Sequence, residues 1–227
     1  MRLIGGRFLA PAVLAALVAL CAGAATSLAA GAKQPLPQLL EATESSAEDL
    51  IDYALAADRG RVVAGARKLE RTTAQAVPVL RKAGLSDEEL SDLGERAARV
   101  AEVSSSGRFI TVALAANAVS EVMPGLYGHF AVAVPPSVLM LDFLEREVQL
   151  RARAEQKAHL PGLVHRVAGT WSGLRARVVS RGGNREAAAF DKHVVAMKRL
   201  APVAGSALQR EAAAGLELVD DLERVFG

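Results

Sequence analysis

Cysteine and aromatic residues are nearly missing from this 227-residue chain: Cys21 is the single cysteine, Trp171 the single tryptophan, and aromatics make up 4% of the sequence. One thiol excludes an internal disulfide and a thiolate metal site. No Cys-x-x-Cys-His occurs, which excludes covalent attachment of a c-type haem. Glu-x-x-His is absent as well, removing the paired signature of ferritin-like di-iron bundles. Neither His-Glu-x-x-His nor a glycine loop able to cradle phosphate is present. Without a dense basic tract or stacking aromatics, nucleic acid is not an expected partner. No nucleophile or acid–base constellation stands out, so the sequence predicts a non-catalytic protein.

The richest information lies at the N-terminus. Arg2 and Arg7 precede an uncharged apolar stretch, residues 8–20, broken only by Pro11. Small residues follow and allow cleavage after Ala24 or Ala32. This is the pattern of a signal peptide over residues 1–32, which predicts export, with the bacterial periplasm as destination. A membrane span needs about 20 predominantly apolar residues, more than this core supplies. An uncleaved anchor is the alternative, because no charge falls between Arg7 and Lys33. Leu20 precedes Cys21 where lipidation requires a small residue, so no lipoprotein is expected. Removing Arg2 and Arg7 leaves acidic and basic residues equal in number, against 25 and 27 in the whole chain.

After a lead-in at residues 33–45 containing Pro35 and Pro37, composition and periodicity predict helix throughout. The reading is an all-α, elongated, up-down-up-down four-helix bundle over residues 46–227, with helices kinked by proline. The first helix is expected at about residues 47–82, opened by a capping box at Ser45 or Ser46 and kinked at Pro78. Ser86-Asp87-Glu88-Glu89 opens the second, which runs to Met123-Pro124-Gly125 with Ser104-Ser105-Ser106-Gly107 inside it. Ser137 opens the third, bent or broken at Leu160-Pro161-Gly162, and Arg181-Gly182-Gly183 separates it from the fourth, bent at Pro202. The architecture is similar to that of cytochrome- and ferritin-type bundles, and architecture carries no function by itself.

Counting back from the turns brings the starts of helices one and three and the ends of helices two and four to one pole. That pole gathers acids, including Asp142, Asp220 and Asp221, beneath the loop with Tyr127 and His129. The functional reading is a cation site, with Glu121, His129 and Asp142 as its first candidate ligands. Oxygen ligands favour hard cations, and an imidazole shifts the preference toward zinc or copper. The plain alternative is a solvated acidic end. Polar residues on otherwise apolar stripes, namely Asp58, Asn117, Glu155, His159 and Glu211, are expected as a structural polar core, because a buried carboxylate needs a partner. Glu211 is expected opposite Glu155 and His159, whereas His193 reads as a packing or surface residue near Trp171. No cofactor is indicated beyond a divalent cation or small ligand. The alternative is an envelope interaction module docking through Arg151, Arg153, Arg175, Arg177 and Arg181.

Overall fold

The computed structural model describes residues 33–105 and 107–227; the expected signal peptide, with Cys21 and both cleavage positions, lies outside the described residues. From Gln34 onward the chain forms one compact unit. It is all-α, and among the described residues the extended pairing consists of one isolated bridge between Pro35 and Ala131.

The helices are α1 (Gln38–Leu55), α2 (Arg59–Lys82), α3 (Asp87–Ser104), α4 (Phe109–Ser120), the short α5 (Met123–Tyr127), α6 (Pro136–Arg153), α7 (Leu160–Ser180), α8 (Asn184–Leu200) and α9 (Ser206–Phe226). A single 3-10 turn, Lys157–His159, precedes α7. Four long helices, kinked by proline, were the expectation; each is instead two helices with a reversal between them. The first reversal turns on Ala57, which adopts a left-handed φ of 57°, after which Asp58 caps α2 by accepting the Arg61 amide at 3.0 Å. At the second, a Cβ on Gly107 would stand 2.4 Å from the Val103 carbonyl. Arg59 binds both sides of that break, donating to the Ser104 and Gly107 carbonyls at 2.7 and 2.6 Å. Glu155 (φ 57°) makes the third reversal, and Ala204 (57°) with Gly205 (80°) makes the fourth. The apolar stripe survives each reversal because both arms of a hairpin face the same core, so its period does not reveal the break.

Pro78 is expected to kink the last turns of its helix, and Pro161 to bend or break its own. Pro78 lies inside α2 without ending it, and Pro161 occupies the first turn of α7, where its missing amide is tolerated. The lead-in is also shorter than expected. Pro37 is the N-cap of α1, and Ser46 sits inside the helix donating to the Ala42 carbonyl at 2.6 Å. The capping box at Ser86 and Glu89 forms as expected.

The hairpins build two four-helix rings in place of one long bundle. In the first module α1 packs on α2 and α4, and α3 packs on α2 and α4. The second module closes the same way, α6 on α7 and α9 and α8 on α7 and α9. Short connections make consecutive helices antiparallel neighbours. Each module has its own core, the first around Leu50, Leu69, Leu93 and Val112, the second around Leu144, Val167, Phe190 and Leu208. The modules share a spacing: Gln38 and Pro136 open α1 and α6, and the same interval separates Ala57 from Glu155 and Lys82 from Ser180. Helices α4 and α5 join them by packing on α6, and Leu150 of α6 enters the first core. Packed against α1, α3 and α6 together, α4 is apolar around much of its circumference, as burial on several sides requires.

Candidate functional site

The junction between the modules holds a cavity of about 420 Å³ that is open to solvent on one side. Its walls come from the first half of α1, the end of α4, α5, the start of α6 and the end of α9, which are the elements the sequence brings to one pole. Six carboxylates line it: Glu41, Glu44 and Glu48 from α1, Asp142 from α6, and Asp220 and Glu223 from α9. Arg146 is the one basic side chain in the wall, and Tyr127 and Ser120 add hydroxyls. Glu44 and Asp142 stand at the shared spacing of the two modules, as do Glu48 and Arg146, so corresponding turns of α1 and α6 line the same space.

Glu44, Glu48 and Asp142 are half-buried, while Glu41, Asp220 and Glu223 are exposed at the rim. Burial is the largest influence on Glu44 and lifts it to about 7; the Tyr127 hydroxyl, which donates to its Oε2, pulls it down, and Glu48, Asp142 and Glu223 push it up. Glu48 also reaches about 7, through burial and Asp142, against the lowering pull of Arg146. Burial and the charges of Asp142 and Asp220 raise Glu223. The Tyr127 phenol is raised by burial and by Glu44. Burial works against the Arg146 cation, but Asp142, at 3.2 Å, and Glu48 outweigh it and keep the guanidinium charged. One arginine against six carboxylates leaves a site that attracts positive charge.

An apolar groove of about 290 Å³ adjoins this cavity and shares Glu41, Tyr127, Val134 and Leu139 with it. Leu36 and residues 131–133 complete the groove. Tyr127 at the end of α5 and Val134 in the connection after it therefore border both the cavity and the groove.

The metal ligands expected from the sequence do not come together. Glu121 is held by Arg96 at 2.9 Å and Arg166 at 3.3 Å, His129 by Glu89 at 2.7 Å, and Asp142 by Arg146. Among the described residues no group of three His, Cys, Asp or Glu side chains is placed to hold a metal ion. The reason is the broken helices: α4 is only 12 residues long, so Glu121 follows its end and faces Arg96 across the α3–α4 hairpin. Of the three candidates only Asp142 lines the acidic cavity.

The expected polar core is also redistributed. Asn117 is fully buried and donates to Glu147 at 2.8 Å. Asp58 is a helix cap, while Glu155 and His159 lie exposed in the α6–α7 connection. Glu211 pairs with His193 at 2.9 Å, and the other ring nitrogen of His193 meets Glu145 at 2.8 Å. Glu145, for which the sequence gives no local signal, is fully buried. The arginines considered for docking are largely engaged within the chain: Arg151 with Glu147 at 2.7 Å, Arg175 with Asp191 at 2.8 Å, and Arg177 over the Phe226 ring at 5.5 Å. No protein-family profile matches the sequence, and neither a curated protein nor a solved structure shows significant similarity to it.

Proposed function

We propose that this is an exported, non-catalytic helical protein, directed to the periplasm by a cleaved signal peptide, that binds a small organic cation in the cavity between its two modules. The observation that carries the reading is the six-carboxylate wall with Arg146 as its single basic member. An ammonium suits this wall better than a bare divalent ion, for two reasons. The carboxylates are spread around a cavity and gather no three-ligand group, whereas a metal needs ligands within about 2.6 Å of one point. The adjoining groove of Leu36, Val132, Val134 and Leu139 offers the methylene part of an amine an apolar surface.

Tyr127 and Glu41 mark the junction of cavity and groove, where the charged end of such a ligand would meet its hydrocarbon. Binding requires Glu44 and Glu48 to ionise, and a bound ammonium lowers the cost of doing so. The test is thermal unfolding of the purified protein at pH 8 with 1,4-diaminobutane, spermidine and octylamine, beside calcium, magnesium and zinc salts. A saturable rise in Tm with amines, lost in the Glu44→Gln/Glu48→Gln variant, is expected. Indifference to every amine would reject the organic cation; a response to one divalent metal alone would restore the metal reading.

A further inference from the structure

Away from the cavity, the second module buries a titratable cluster that ligand binding does not use. His193 projects from the middle of α8 and is almost entirely buried. Its Nε2 meets Glu145 Oε1 of α6 at 2.8 Å and its Nδ1 meets Glu211 Oε1 of α9 at 2.9 Å. With Glu211 ionised and the Glu145 proton on Oε2, both ring nitrogens face acceptor oxygens, and an imidazolium donates to both. Glu145 has no exposed surface, and its Oε2 is buried without a hydrogen-bonding partner. An ionised carboxylate with an unpartnered oxygen costs far more in such a place than a neutral acid does. Glu211 is partly open to solvent, so one end of the cluster can exchange protons with water.

The backbone is fitted to this cluster. Gly215 of α9 passes so close that a Cβ there would lie 2.6 Å from the Glu145 carboxyl and 2.7 Å from His193 Nε2. Phe190 closes the cluster with an edge contact to the His193 ring, its centroid 5.3 Å away. The three helices that meet here, α6, α8 and α9, are therefore joined by one hydrogen-bonded ring and two carboxyls.

We propose that Glu145, His193 and Glu211 form a proton-loaded latch that fastens α6 to α8 and α9, and that the latch releases when it gives up a proton to alkaline solvent. In the loaded state Glu145 is neutral, His193 carries both ring protons and Glu211 is ionised, so the buried cluster has no net charge. Loss of one proton leaves a net negative charge in the core of the module. The charged and titratable groups that act on the ring are Glu145 from α6 and Glu211 from α9, and Glu145 also feels Asp142. Toward α7, Asp191 of α8 is occupied by Trp171 Nε1 at 2.8 Å and by Arg175.

Electrostatics agree with the geometry. Burial opposes the His193 cation, but the bonds and charges of Glu145 and Glu211 outweigh it and hold the ring above its ordinary value. Burial raises Glu145 despite the lowering pull of His193. Both shifts have the same sign for stability. A group raised in the folded state supports the fold fully below its unfolded value and loses that support as pH rises through the folded value. For His193 the loss begins above about 6.5, the ordinary histidine value.

The consequence reaches the cavity, because α6 also carries Asp142 and Arg146 and α9 carries Asp220 and Glu223. An unlatched second module loosens one wall of the site. The latch itself does not depend on what the cavity binds.

The experiment is an NMR titration of the full protein with 15N-labelled histidine between pH 5 and 10, with amide protection factors for both modules. Both His193 ring nitrogens should be protonated at pH 7, and deprotonation should coincide with at least a tenfold loss of protection in α6, α8 and α9 but not in α1 to α3. Glu211→Gln should move the ring titration to lower pH, as the milder variant that keeps a hydrogen-bonding side chain. A ring that holds one proton throughout pH 5 to 9 would overturn the proposal, as would equal loss of protection in both modules. An unchanged titration in Glu211→Gln would overturn it too.

Discussion

Gly215 is where one atom decides most. The space a side chain would need there is taken by the Glu145 carboxyl and the His193 ring. Gly215→Ala should destabilise the protein by about 1–3 kcal/mol, the usual range for overpacking a core, although alanine is the better helix former. Denaturant unfolding measures it, and a gain in stability would show that the cluster has slack. Tyr127 is the corresponding residue at the cavity, where its hydroxyl is the hydrogen bond that restrains Glu44. Tyr127→Phe should cost about 1 kcal/mol and raise Glu44 above its value near 7, followed by 13C NMR of the side-chain carboxyls. A fall in the Glu44 value would contradict the assignment. At this scale the sequence was only partly readable. Asp142 and Tyr127 could be placed by counting residues back from turns, and both line the cavity. Glu44 and Glu48 could not: the Ser45/Ser46 capping signal placed Glu44 in the lead-in, and Glu48, three residues past Ser45, read as the acid of that capping box. His193 was hidden for another reason: its partners lie 48 and 18 positions away, on two other helices, and no local pattern announces them.

At the scale of helices, the reversals are the decisive feature, and they are made by ordinary residues. Ala57, Glu155 and Ala204 take left-handed φ values that L-residues adopt at a cost of roughly 1–2 kcal/mol. Ala57 is exposed at the α1–α2 turn, so Ala57→Gly should stabilise the protein by about 0.5–1 kcal/mol. The same change at an exposed mid-helix alanine should cost about 1 kcal/mol. Denaturant midpoints of the two variants should move in opposite directions; parallel shifts would mean that Ala57 lies in a continuous helix. This also explains why helix was legible and hairpins were not. Glycine marks the α2–α3 and α7–α8 turns, Ala83-Gly84 and Arg181-Gly182-Gly183, and the sequence places those correctly. Ala-Ala-Asp at residues 56–58 carries no such mark, and the stripe from Ile51 to Leu69 runs through it because both arms face one core.

For the whole molecule, the acidic cavity and the buried latch predict one trend with pH. Glu44 and Glu48 are raised to about 7, so the stability they contribute is full below about 4.5 and is lost as pH rises through 7. His193 and Glu145 add a loss of the same sign. On the acid side Glu89, stabilised by Ser86, and Asp191, stabilised by Arg175, are held low, and their support disappears as pH falls through those lowered values. The ligand-free protein should therefore be most stable in mildly acidic solution and less stable at pH 8.5 than at pH 6. Glu48→Gln should flatten the alkaline limb in thermal unfolding across pH. A bound cation reverses the balance, because it favours the ionised carboxylates that the empty cavity disfavours.

Isothermal titration calorimetry of the purified protein with spermidine at pH 8 and pH 6 tests the central claim most directly. The account predicts saturable binding at pH 8 that weakens about tenfold at pH 6 for each carboxylate of value near 7 that must ionise, and that disappears in Glu44→Gln/Glu48→Gln. Binding of equal strength at both pH values, or binding that survives the double substitution, would contradict a cation site at the junction of the two modules.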